Sequence, residues 1–117
     1  MSKRGDLESL SDINEAIKRI MFYMKDLTFD QFVQDTRNQD AVVRNLEIIG
    51  EATKNLSFDF RKKNLEVPWK KLAGVRDRLI HHYFSVNFEV IWTIVTEELP
   101  KMLIEIKKIR QNKKERA

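Results

Sequence analysis

Trp69-Lys70-Lys71-Leu72-Ala73-Gly74-Val75-Arg76-Asp77-Arg78-Leu79-Ile80-His81-His82-Tyr83-Phe84 reads as one helix, with Pro68 supplying a fixed φ at its first position. At about 100° per residue, Leu72, Val75, Leu79 and Tyr83 fall on one line, and Trp69, Ala73, Ile80 and Phe84 on a neighbouring one. Together they form a wide apolar arc. Arg76 projects from within that arc. A cation there is expensive unless an anion meets it, and a phosphate is one candidate. On this helix Tyr83 lies nearly above Arg76, while Asp77 and His81, four residues apart, share a shoulder and can hydrogen-bond. His82 falls on the other shoulder. So wide an arc can serve both the core of its own bundle and a second copy across a two-fold axis, which would bring both copies' Arg76 and His81 into one cleft.

The flanking segments carry the same helical period. A first helix is expected from about Leu7 to Leu27, capped by Ser9 or Ser11, with Ile13, Ile17, Ile20, Met21 and Met24 on its inner face. Thr28-Phe29-Asp30 signals a turn, with one extra helical turn through Phe32 and Val33. A second helix is expected from Asn38 to Asp40 onward, along Val42, Leu46, Ile49 and Leu56. Gly50 in its interior costs about 1 kcal/mol relative to alanine, which is worth keeping only if another backbone passes close. Residues 57–67 read as a connection. A fourth helix opens at Asn87 as N-cap, with Val86 and Ile91 at the spacing of a hydrophobic staple, and Pro100 should kink or interrupt it near Glu97.

The composition narrows the classes. A chain of 117 residues is one domain, and three glycines with two prolines leave too few turn signals for a β-sandwich. The expected fold is all-α: an up-and-down bundle of four helices, or five with the short extra turn. With no cysteine and two adjacent histidines, neither a disulfide framework nor an all-protein metal site is expected, and no cofactor is implied. The opening residues lack the apolar region of a secretion signal, and no apolar run approaches the roughly 20 residues a membrane helix needs. A soluble cytoplasmic protein is the expectation. The formal net charge is +4, and residues 107–116 are strongly basic with Glu115 their one acid. That tail, about 108–117, reads as a solvated helix end that frays, or as a segment attracting nucleic-acid phosphates.

The chemistry open to such a constellation is limited. Histidine suits acid and base roles near neutral pH, and arginine presents a fork of donors matched to phosphate oxygens. Histidines with arginines and no metal suffice to cleave RNA, which carries its own 2′-hydroxyl nucleophile. Alternatives stand beside this reading. Arg76 can pair with Glu47 or Glu51 as a structural ion pair, His81 can be a packing residue, and Tyr83 can be a core residue with its hydroxyl at the rim.

Arg76-Asp77-Arg78-Leu79-Ile80-His81-His82-Tyr83-Phe84 resembles the signature of the HEPN superfamily, specifically the small HepT-like toxins. Asn45-Leu46-Glu47-Ile48-Ile49-Gly50-Glu51-Ala52, Val67-Pro68-Trp69 with Leu72-Ala73-Gly74-Val75, and Val86-Asn87-Phe88-Glu89-Val90-Ile91-Trp92 are similar to three further segments of that family. The likeness spans roughly residues 7–107. It implies a homodimeric HEPN-like bundle acting as a metal-independent endoribonuclease, paired as toxin with a nucleotidyltransferase antitoxin. It also implies an RNA substrate (transfer RNA is suggested) and products ending in 2′,3′-cyclic phosphate. Residue by residue, it implies Arg76 and His81 as the catalytic pair and Tyr83 as the tyrosine the partner AMPylates. Asp77 stands where the superfamily often has asparagine, and would support His81. The alternative function is a non-catalytic nucleotide-binding or nucleotidyltransferase-partner module whose Arg76 grips phosphate without turnover.

Overall fold

The computed structural model describes residues 5–81 and 85–116; for Arg76, Leu79–His81, Ser85, Val86 and residues 113–116 it describes the backbone alone. The architecture is the expected all-α bundle. Helix α1 (Asp6–Met24) packs along α3 (Thr36–Asn55) and crosses α8 (Leu99–Arg116). The apolar spacing of all three creates this arrangement. Leu10, Ile13, Ile17 and Ile20 of α1 meet Val42, Leu46 and Ile49 of α3, and Leu99, Met102 and Ile106 close the core. Burying each such side chain is worth about 1.5–3 kcal/mol. Among the described residues, no helix is long and apolar enough to cross a membrane.

Several element boundaries differ from those expected. Helix α1 starts at Asp6, earlier than a serine cap would place it: Gly5 is its N-cap, and the Glu8 carboxylate accepts from the Gly5 N–H at 3.4 Å. Ser9 lies buried inside the helix. Helix α3 also begins early, because the Asp35 carboxylate accepts the Asn38 N–H at 3.0 Å. The extra turn is α2 (Phe29–Val33), held by a reciprocal capping box: Thr28 Oγ1 accepts from the Gln31 N–H and Gln31 Oε1 from the Thr28 N–H. The stretch expected as a connection holds a further helix, α4 (Phe58–Lys63). Ser57 caps it, and the same Ser57 N–H and hydroxyl both donate to Asp6 at 2.7 Å, a contact fifty-one residues away that no local pattern signals.

The largest departure is in the stretch quoted first. It is not one helix to Phe84 but α5 (Trp69–Ala73), a break at Gly74, α6 (Val75–Leu79), and then a short strand, β1 (Ile80–His81). Ile80 pairs with Val86 and His81 with Ser85 of β2 (Ser85–Val86), antiparallel. The physical reason is the next helix. Asn87 caps α7 (Phe88–Thr93) in an extended conformation, its side chain accepting the Val90 N–H at 3.0 Å. The chain therefore enters α7 extended, and the extended Val86 offers Ile80 a ladder partner that further helix would forgo. The staple expected between Val86 and Ile91 falls partly outside the described side chains; Ile91 itself is fully buried.

Pro100 acts as expected, with a specific geometry. Helix α7 runs into a π segment at Ile94–Glu98 before α8 begins, and Thr96 Oγ1 donates to the Trp92 carbonyl at 2.6 Å. A proline cannot donate to the preceding turn, and a widened turn relieves its clash with that turn's carbonyl. Helix α8 carries the basic segment as helix as far as Arg116, with Ile109 buried.

Candidate functional site

The R-x4-H-x-Y segment straddles the junction of helix and strand. Arg76 sits in α6 between buried Val75 and exposed Asp77, and His81 lies on β1 opposite Ser85. Tyr83 lies outside the described residues, as do the Arg76 and His81 side chains. The helical alignment expected of the segment does not hold, because α6 ends at Leu79. Asp77 and His81 are therefore not one helical turn apart.

What holds this junction is well defined. Helix α6 rests on α3 and α7, with Val75 against the core. The neighbouring α7 is anchored by aromatics: Phe32 of α2 is fully buried, its ring edge-on to Phe88 at 6.0 Å and beside Trp92 at 6.2 Å. Gly50 of α3 faces the carbonyls at the end of α5. A Cβ there would meet the Ala73 carbonyl oxygen at 3.5 Å and Cγ1 of Val75 at 3.6 Å. The close backbone approach that Gly50 suggested is real, and it leaves room for a methyl group and no more.

The electrostatics centre on a residue sequence reasoning missed. Arg78 donates from both terminal nitrogens to Glu98, at 3.0 and 2.8 Å, and Lys71 Nζ stands 3.4 Å from the same carboxylate. The Glu98 side chain is 16% exposed. The hydrogen bonds from Arg78 pull the Glu98 carboxyl below its ordinary range against the opposing effect of burial, and Glu98 in turn raises Arg78. Arg78 is thus committed to Glu98 and not to Asp77. No spacing within the motif could have signalled this pair, since Glu98 belongs to the π segment.

The R-x4-H-x-Y segment thus begins on α6 and crosses into β1, within an otherwise helical bundle. Comparison with known proteins gives the family. The family described as ribonuclease HepT-like matches residues 13–109, and the chain belongs to it. The chain is 49% identical over 109 residues to a protein of Methanocaldococcus jannaschii named as a candidate RNase, covering 93% of this chain and 90% of that one. It is 42% identical over 109 residues to a protein of Thermococcus cleftensis named as a candidate ribonuclease HepT, covering 93% and 99%. A protein of Caldanaerobacter subterraneus, also named as a candidate RNase, is 48% identical over 91 residues, covering 78% and 81%. No solved structure matches. The family is one of ribonucleases, so nuclease chemistry is the class of activity it brings to this fold.

Proposed function

We propose that the protein is a metal-independent endoribonuclease and the toxin of a toxin–antitoxin pair. The observation that carries this reading is the family match over residues 13–109, which includes the whole R-x4-H-x-Y segment. Two copies join across a two-fold axis and share a cleft. His81 of one protomer removes the proton of an RNA 2′-hydroxyl, and that oxygen attacks the adjacent phosphorus. The bond to the 5′-oxygen breaks as the partner subunit's His81 protonates it, leaving a 2′,3′-cyclic phosphate and a free 5′-hydroxyl. Arg76 binds the phosphate and stabilises the charge that grows on its oxygens. Asp77 has a supporting role toward His81.

Tyr83 is the control point in this reading. A nucleotidyltransferase antitoxin transfers AMP to its hydroxyl, placing bulk and negative charge where RNA phosphate should bind. Transfer RNA is the substrate class this reading favours.

The test is cleavage of RNA in EDTA by protein whose intact mass shows an unmodified Tyr83, beside His81→Ala. Cyclic-phosphate ends from the wild type alone are expected. Nucleotide binding with no RNA products at any protein concentration would assign the chain to a binding module instead. Unfolding of His81→Ala would make that residue structural, and Arg76→Ala would then test the site.

A further inference from the structure

A groove of about 920 Å³ runs between α4 and α5, outside the R-x4-H-x-Y segment. Phe58, Leu65, Val67 and Pro68 give it an apolar floor. Phe58 is 72% exposed and Leu65 76%, large apolar side chains left in water. Four cations edge the groove, Arg61, Lys62, Lys70 and Lys71, and no carboxylate lines it. Lys71 is engaged with Glu98, but among the described residues no carboxylate pairs with Arg61, Lys62 or Lys70. The Lys62 ammonium stands 5.9 Å from the centre of the Phe58 ring, so cation and aromatic face are presented together.

The occupant must bring flat apolar faces and regularly spaced negative charge. Single-stranded RNA does both, with one phosphate per nucleotide and a base that stacks on an aromatic ring whatever its sequence. The groove also includes a residue close in sequence to the motif. Ala73 lines it, and Gly74 and Val75 alone separate Ala73 from Arg76.

We infer that the α4–α5 groove is a binding site for single-stranded RNA, stacking a base on Phe58, holding phosphates with Arg61, Lys62 and Lys70, and leading the strand toward Arg76. This deepens the ribonuclease reading and rests on it for the chemistry that follows binding.

The test separates binding from cleavage by using a labelled 2′-O-methylated RNA of about 12 nucleotides, which cannot be cut through its 2′-oxygen. Fluorescence anisotropy with the full chain should show about a tenfold loss of affinity for Phe58→Ala. The double variant Lys62→Ala, Lys70→Ala should bind more weakly, with the slope of log affinity against log salt reduced by about 0.7 for each cation removed. All three side chains are exposed, so the variants should keep the wild-type circular dichroism. Unchanged affinity and slope in every variant would overturn the site. Unchanged affinity with an altered sedimentation coefficient would also overturn it, assigning the groove to contact between protein chains. Groove-dependent binding by a wild type that cleaves no RNA would uphold the site while removing the ribonuclease reading.

Discussion

The guanidinium of Arg78 grips both oxygens of Glu98, twenty residues away in sequence, and so ties the helix that carries Arg76 to the π segment ahead of Pro100. A bidentate pair this well shielded contributes more than an exposed one, because its carboxylate has given up most of its water. Glu98→Gln should lower stability at neutral pH by about 1–2 kcal/mol in chemical denaturation. Arg78→Lys should lose part of that, since an ammonium keeps the charge but not the fork.

The same pair sets an acid limb. The Glu98 carboxyl is held below its ordinary range, so the folded protein takes up that proton less readily than the unfolded chain. Its stabilising effect is complete above the ordinary carboxyl value of about 4.3 and disappears as the pH falls through the lower folded-state value. Wild type and Glu98→Gln should therefore draw together in stability as the pH falls below the ordinary carboxyl range. Parallel curves down to the lowest pH would contradict this account.

Gly50 faces backbone carbonyls at a distance that admits a methyl group. Gly50→Ala should be neutral or stabilise by up to about 1 kcal/mol, through the better helix propensity of alanine. Gly50→Leu should force α3 away from the α5–α6 junction and lower the melting temperature sharply. A destabilised Gly50→Ala would mean the helices pack closer than described.

Phe32 anchors α7 from α2 with no exposure at all. Phe32→Ala should cost about 3–5 kcal/mol, from lost burial and the cavity left beside Phe88 and Trp92. Phe32→Leu should recover a large part of that. Thermal or urea unfolding reads both.

Asp26, just past α1, has a φ of 63°, the left-handed conformation that glycine adopts freely. Asp26→Gly should be neutral or stabilising by up to about 1 kcal/mol, whereas Asp26→Val should destabilise by about 1–2 kcal/mol. Equal stabilities for the two variants would show that the turn relaxes out of that conformation.

Local interactions made much of this protein legible as a sequence. The inner faces of α1 and α3 follow from apolar residues at three- and four-residue spacing, because a helix must bury such a stripe. The Asn87 cap, the turn signal at Thr28-Phe29-Asp30 and the disturbance ahead of Pro100 follow from groups within four residues of one another. The segment holding Arg76, His81 and Tyr83 stood out because a cation and titratable groups interrupt an apolar arc, and the family match covers that segment. Tertiary structure decided what depends on distant partners. The stretch from Trp69 has helical periodicity to Phe84, yet the helix stops at Leu79, since Ile80 and His81 gain ladder bonds from Val86 and Ser85 on the way into α7. Ser57 caps α4 while holding Asp6, and Arg78 chooses Glu98 over the adjacent Asp77, because those carboxylates arrive through the packing of helices. Periodicity encodes which face turns inward; only the assembled bundle determines which charges meet and where a helix gives way.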